Sequence, residues 1–284
     1  MDNNVDMVIC SAGTGGTIAG IGRKIKEALP SCKVVGVDPH GSILAQPEEI
    51  NKTDVQSYEV EGIGYDFIPT VLDRSVVDEW IKVGDPEAFP MARRLNCEEG
   101  ILSGGSSGSV LIGALQACKS LKAGQRAVII LPDGIRNYMT KFVSDNWMEA
   151  RDFKPVVNEH NHWWWNHKAS ELKSFSPVVI DGSMTCQEAI NLMKEKNVQH
   201  LPVVNNGKIK GCVTLDILTN QIVSNNLCIK SPATKGMFKK AIKVTADAIV
   251  GKVARILEVE DFVMIYKTEN GAETVTGIFP VEKL

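Results

Sequence analysis

The chain has 284 residues, 44% of them apolar and 23% charged, with 31 basic against 34 acidic side chains and a formal charge of -3. That mix fits one large or two ordinary globular domains; it excludes collagen-like, disordered and disulfide-miniprotein classes, and the near-neutral balance speaks against a dedicated nucleic-acid binder. No apolar run approaches the ~20 residues of a membrane span, no secretory signal precedes the first strand, and the 7 cysteines lack C-x-x-C spacing, so free thiols and a cytoplasmic setting are expected.

Asp2-Asn3-Asn4 leads at once into an apolar strand, Met7–Ser11. An open α/β sheet rarely begins there, which points to a region upstream. The loop Gly13-Thr14-Gly15-Gly16-Thr17 follows. Next comes a helix with Ile18, Ile21, Ile25 and Leu29 on one stripe, ended by Pro30. Lys33–Asp38 is the second strand. Helices are expected around Val76–Lys82 and near Asp85–Leu95, then a strand-turn at Ile101–Gly105, a helix to Leu121, and a strand Ala127–Leu131 stopped by Pro132. This alternation predicts an α/β class with an open, mostly parallel sheet and helices on its faces.

Residues Phe153–Phe175 break the rhythm with Pro155, three histidines and Trp163-Trp164-Trp165. Three adjacent indoles are costly to leave in water, so the segment is expected to dock rather than dangle. His160, His162 and His167 lack a fourth ligand and read as polar linker residues rather than a metal site. The last part repeats itself. Thr185-Cys186-Gln187-Glu188 is a capping box opening a helix to Lys196, followed by strands His200–Val204 and Lys208–Thr214 around Asn206-Gly207 and a helix Leu215–Val223. The second copy has a helix Ala248–Leu257 and strands Phe262–Lys267 and Glu273–Phe279 around Asn270-Gly271. Asn-Gly between alternating apolar strands signals a hairpin, so the expectation is an α+β paired module after the sheet domain: residues 1–153, a Trp-rich linker 154–174, and the module 175–284.

The glycine loop lies between a strand and a helix N-terminus, where close backbone approach, free N–H groups and the helix dipole favour a phosphate. Asp38 sits about 20 residues on, where a dinucleotide fold carries its ribose-binding acid, but Ile18 occupies the place of that fingerprint's third glycine; read plainly, Asp38 is a turn residue before Pro39. Leu102-Ser103-Gly104-Gly105-Ser106-Ser107-Gly108-Ser109 reads as a second loop between strand and helix. Ser106 or Ser107 could simply cap that helix. Two such loops at strand C-terminal ends, however, favour ligand contact, because open sheets bind ligands there.

Together, Ser11–Thr17 (SAGTGGT), Val37–Gln46 (VDPHGSILAQ), Tyr58–Arg74 (YEVEGIGYDFIPTVLDR), Leu102–Ser109 (LSGGSSGS), Leu131–Lys141 (LPDGIRNYMTK), Trp163–Trp165 and the paired module resemble the cystathionine beta-synthase family of fold-type-II pyridoxal-phosphate enzymes over nearly the whole chain. The glycine loop is shared with cysteine synthases; EGIGYDF with LDR and a paired module is more specific. The resemblance implies a lyase that uses pyridoxal 5'-phosphate for β-replacement. Such an enzyme condenses L-serine with L-homocysteine to cystathionine in transsulfuration and cysteine biosynthesis, with hydrogen sulfide release open to the same chemistry. It implies that Gly13, Thr14, Gly15, Gly16 and Thr17 hold the cofactor phosphate, that Ser106 hydrogen-bonds the pyridine nitrogen, and that Gly62 and Tyr65 face the substrate. Tyr65 can also be read as a packed aromatic. The family's Schiff-base lysine belongs to a segment upstream of the first strand and haem to a still earlier one, so no catalytic lysine and no metal ligand is assigned here; Lys24 and Lys26 read as a solvated helix face.

The paired module resembles the regulatory repeat of the same family, in which a Ser/Thr and an Asp hold an adenosyl ligand. Thr214 and Asp216 stand there in the first copy, one residue apart rather than two. The second copy, ending Gly277–Leu284, lacks the pair, which leaves a structural or dimerising role open beside ligand binding. The implied partners are small amino-acid substrates and further copies of the chain as a homo-oligomer, without nucleic acid or membrane. Two alternatives stay open: a regulatory fragment that binds an adenosyl ligand without catalysis, and a cysteine synthase.

Overall fold

The computed structural model describes residues 4–55, 57–158, 161–173 and 176–281. His160, Phe175 and Glu282–Leu284, which carried expectations above, lie outside them. The chain divides into two compact units, the first reaching to residue 148 with 152–154, the second holding 149–151 and the chain from 155 on.

In the first unit β1 (Met7–Ser11), β2 (Lys33–Pro39), β3 (Glu79–Val83) and β4 (Ala127–Ile129) form one sheet in the order β3-β2-β1-β4, with every pair parallel. Period-two alternation builds two cores. Met7, Ile9, Val35, Val37, Ile81 and Val83 pack with Ala88 of α2 (Asp85–Glu98) and with Val110 and Ala114 of α3 (Gly105–Ala117). Cys10, Val34 and Trp80 form a second cluster with Ile18 of α1 (Gly16–Ala28). Both faces of the sheet are therefore covered, as parallel strands require. Gly36 leaves room for the Trp80 ring, whose Cε3 would lie 2.6 Å from any Cβ at that position. No helix among the described residues is long and apolar enough to cross a membrane.

Three local expectations are corrected. Residues 79–82 of the predicted helix Val76–Lys82 belong instead to strand β3. Val76/Trp80 and Val77/Ile81 share a four-residue spacing, but the run is too short for periodicity to decide, and the ladder with β2 does. Residues 101–104 hold no strand, only an isolated bridge between Ser103 and Gly134, so the second loop follows helix α2 rather than a strand. Asp38 is not a turn residue: it lies within β2, fully buried.

The second unit holds the repeat. After a short helix α4 (Asp145–Ala150) earlier in the chain, Thr185 caps α5 (Cys186–Lys196) reciprocally with Glu188. The hairpin β5 (His200–Asn205) and β6 (Lys208–Thr214) leads to α6 (Leu215–Val223). The second copy comprises β7 (Lys243–Thr245), α7 (Val250–Leu257) and the hairpin β8 (Phe262–Glu269) and β9 (Ala272–Pro280). Both Asn-Gly turns place two residues at positive φ, the geometry that matches strand twist. Ile209 and Cys212 of one hairpin pack with Met264, Val275 and Ile278 of the other. Of the three indoles expected to dock, only Trp165 does so fully. It is 4% exposed, lies against Gly251, and carries the Arg255 guanidinium 5.4 Å from its ring. Trp163 is 83% exposed, because the groove beside Gly251 takes one ring. His162 stacks on Trp164 and His167 pairs with Glu171 at 2.7 Å.

Candidate functional site

The chain leaves β1 towards β2 and β3 and returns to place β4 on the other side of β1. The C-terminal ends of β1 and β4 therefore flank the point where strand order reverses, the usual crevice of an open parallel sheet. The glycine loop leaves β1 there, and residues 130–134 leave β4.

Gly13, Thr14, Gly15, Gly16 and Thr17 form the turn into α1. Gly15 adopts φ 88°, and a Cβ there would lie 2.7 Å from the Leu72 Cα. Gly13 has no room for a Cβ beside the Gly62 carbonyl oxygen. At Gly16 a Cβ would meet nothing within 4 Å. Thr14, Gly16 and Thr17 are exposed, no side chain caps α1, and its first turn holds no acidic residue. Helix-start amides need partners, and here they are open, accessible and free of competing carboxylate. Two threonine hydroxyls add donors. This fits a phosphate.

Loop 61–65 closes on the turn. The Gly64 amide donates to the Ala12 carbonyl at 2.8 Å, and Lys141 pairs with Glu61. Gly62 is exposed at φ 79°, and Tyr65 is half-buried with its ring 4.9 Å from that of Phe67. Tyr65 also packs at the edge of the cluster around Ile18, so its ring is partly exposed and partly packed.

Ser106 lies in the first turn of α3, 2% exposed. Its Oγ is 3.4 Å from Asp133 Oδ1, while the Gly104 amide donates to the Asp133 carbonyl at 3.0 Å. The Tyr138 hydroxyl donates to the other Asp133 oxygen. Burial first, and then this hydrogen bond, pushes the Tyr138 phenol well above its ordinary value, so it stays a neutral donor. Ser103 Oγ and Ser107 Oγ, both buried, have no partner among the described residues, so this turn keeps unused hydrogen-bonding capacity. Sequence reasoning has Asp133 and Tyr138 only within the motif Leu131–Lys141 and gives neither a role. The signal available was their place just after β4, which has meaning only once β4 is known to neighbour β1.

Two further expectations concern lysines and Asp38. Lys24 faces solvent and pairs with Glu27, whereas Lys26 pairs with Asp78 at 2.6 Å and donates to the Cys32 carbonyl. Asp38 binds Lys82 at 2.7 Å and is closed to a ribose. In the second unit the Thr214 hydroxyl accepts from the Ile217 amide as the cap of α6, and Asp216 is exposed in the first turn. A cavity of about 390 Å³ lies nearby, bordered by Ser176, Asn197, His200, Leu215, Ile278 and Pro280 among others.

Residues 1–133 match the family model described as "Pyridoxal-phosphate dependent enzyme", and residues 169–224 the model described as "CBS domain". The chain is 46% identical over 266 residues to the cystathionine beta-synthase of Rattus norvegicus, covering 93% of this chain and 47% of the relative. It is 48% identical over 273 residues to that of Apis mellifera, covering 95% and 54%. A solved O-acetylserine dependent cystathionine beta-synthase from Helicobacter pylori is 33% identical, with a TM-score of 0.45 over 50% of this chain and 44% of the other. The chain spans about half the length of the curated relatives it matches.

Proposed function

We propose, for a chain whose residues 1–133 belong to the pyridoxal-phosphate dependent enzymes and whose residues 169–224 are a CBS domain, that it serves a β-replacement joining L-serine to L-homocysteine to give cystathionine. What carries the proposal is the convergence of an uncapped, carboxylate-free helix N-terminus after β1 and the Ser106–Asp133 turn beside β4, at adjacent strand ends.

The amides of residues 13–17, with the Thr14 and Thr17 hydroxyls, would hold the phosphate of pyridoxal 5'-phosphate. Ser106 would face the ring nitrogen. A neutral hydroxyl there leaves that nitrogen unprotonated, where a carboxylate would keep it protonated. Bound pyridoxal phosphate supplies the electron sink for charge developing at the substrate's α carbon. A serine partner tempers that sink, which suits loss and replacement at the β carbon over transamination. Gly62 and Tyr65 would border the amino acid. No lysine of this chain is assigned the covalent role; Lys26, Lys82 and Lys141 are engaged in ion pairs.

The test supplies serine with homocysteine, or with sulfide, to the protein loaded with pyridoxal phosphate and identifies the products by mass. Cystathionine from homocysteine is expected. Cysteine from sulfide alone would favour cysteine synthase, and no product with either would overturn both.

A second reading, ligand sensing by the paired module, is favoured by the cavity beside α5 and α6. Calorimetry with an adenosyl ligand tests it. Heat that vanishes when His200 is replaced by a bulkier residue is expected; no heat would leave the module a structural or dimerising role.

A further inference from the structure

A buried ion pair that the cofactor site does not use is joined to loop 61–65 through Ser42. Asp38 on β2 and Lys82 on β3 are register partners in the parallel ladder, so their side chains leave the sheet on the same face. The Lys82 side chain is 6% exposed and that of Asp38 fully buried. Lys82 Nζ lies 2.7 Å from Asp38 Oδ2 and also donates to the Ser42 carbonyl at 2.9 Å and to Asn51 Oδ1 at 3.2 Å. Burial lowers the Lys82 pKa and raises that of Asp38, each opposed by the attraction of its partner. Desolvation on this scale makes such a pair a poor source of stability, and an apolar pair of equal volume would fill the space as well. What the ammonium adds is a three-way clasp that joins Asp38 on β2, the Ser42 carbonyl of the turn 42–45, and Asn51 beyond that turn.

That turn is fastened further. Asn51 Nδ2 donates to the Ala45 carbonyl at 2.8 Å, and the Ala45 amide donates to Asp38 Oδ2 at 3.3 Å. The turn in turn grips Tyr65. The Tyr65 amide donates to Ser42 Oγ at 3.0 Å, and the Ile43 amide donates to the Tyr65 carbonyl at 3.0 Å. Gly64, one residue back, is bonded to Ala12 at the foot of the glycine loop. Hydrogen bonds through Ser42 therefore link Lys82 to Tyr65, the last residue of loop 62–65.

We propose that Lys82 is a positioning residue: through the turn 42–45 and the Ser42 hydroxyl it sets the height of loop 62–65 above the glycine loop, and so the fit of the amino-acid substrate, a role that rests on Gly62 and Tyr65 facing that substrate. The phosphate cradle meets this loop at the Gly64–Ala12 hydrogen bond and where Gly13 abuts the Gly62 carbonyl, but its helix end is fixed by Leu72 against Gly15, outside the run of hydrogen bonds.

The test compares Lys82→Met, Lys82→Arg and Ser42→Ala with the wild type in the full-length protein. It reads backbone hydrogen exchange by mass spectrometry without ligand, pyridoxal phosphate affinity by titration, and KM for the amino acid. Lys82→Met should speed exchange in 42–46 and 62–66 and raise KM, each by about tenfold, the factor one hydrogen bond commonly carries. Cofactor affinity should hold within about twofold, and Lys82→Arg should recover part of the loss. If Lys82→Met does not fold, Ser42→Ala, which keeps the ion pair, should give the same selective pattern. Exchange that rises equally across β1 and α1, with cofactor affinity falling in step, would reduce Lys82 to general support and overturn the proposal. So would unchanged exchange in 62–66. Failure of the wild type itself to bind pyridoxal phosphate would overturn the functional assignment and the substrate role with it, and shows before any variant is made.

Discussion

Gly15→Ala tests the glycine turn as a built object. The position needs φ 88°, which costs an alanine roughly 1–2 kcal/mol. Its methyl would also lie 2.7 Å from the Leu72 Cα and 2.5 Å from its Cδ1. The side chain can swing away but the backbone cannot, and such overpacking typically costs ~1–3 kcal/mol. The sum, about 2–5 kcal/mol, corresponds to a fall in melting temperature on the order of 5–15 °C for a unit of this size. Gly16→Ala is the internal control: one residue on, ordinary φ, nothing within 4 Å of the methyl. It should melt at or slightly above the wild type, since losing a glycine restricts the unfolded chain. Calorimetry resolves the transition of the first unit, and pyridoxal phosphate titration on the same samples reads the site. Affinity should fall for Gly15→Ala because the α1 amides shift. Equal melting of the two variants would refute the left-handed, Leu72-packed turn.

Thiol chemistry should separate the 7 cysteines. Cys97 and Cys228 are exposed and should react with a disulfide reagent within minutes at pH 8, whereas Cys10, whose burial pushes its thiol up to about 11, and Cys212, up to about 12, should react only on unfolding; early labelling of Cys212 would contradict the packing of the paired hairpins. Acid stability should depend on Asp145, whose carboxyl is held below its ordinary value by hydrogen bonds from Lys154 and then Arg93. A lowered carboxyl pKa gives stability that is present above the unfolded value and fades as pH falls through the folded one. Asp145→Asn should therefore flatten the acid limb of a stability–pH profile and leave its slope near neutrality unchanged.

Where local pattern and tertiary demand coincide, the sequence was readable. β1, β6 and α6 have the expected bounds, because β1 is a short apolar run just before the glycine loop and Thr214 both ends β6 and caps α6. Both hairpin turns followed from Asn-Gly. β3 was not readable, because Val76/Trp80 and Val77/Ile81 suit a helix face as well as a strand, and only the neighbouring β2 decides. Trp163 and Trp165 are the same residue type two positions apart, yet only one meets a groove, made by Gly251 far along the chain. The glycine-rich loop by itself leaves Ser106 and Ser107 open, and only the family resemblance points to Ser106. Asp133, which touches it, follows a proline in a stretch without periodicity, and strand order alone brings the two together. Lys82 likewise reads as the last residue of an expected helix until the β2–β3 register sets it opposite Asp38.

Hydrogen exchange of residues 12–17 and 103–107, with pyridoxal phosphate or with pyridoxal lacking the phosphate, tests most directly whether two neighbouring turns share one cofactor. The phosphorylated compound should protect both segments at once, and pyridoxal should leave 12–17 unprotected. Protection of neither segment, or of 12–17 equally by both compounds, would contradict a phosphate seated on α1 with its ring toward Ser106.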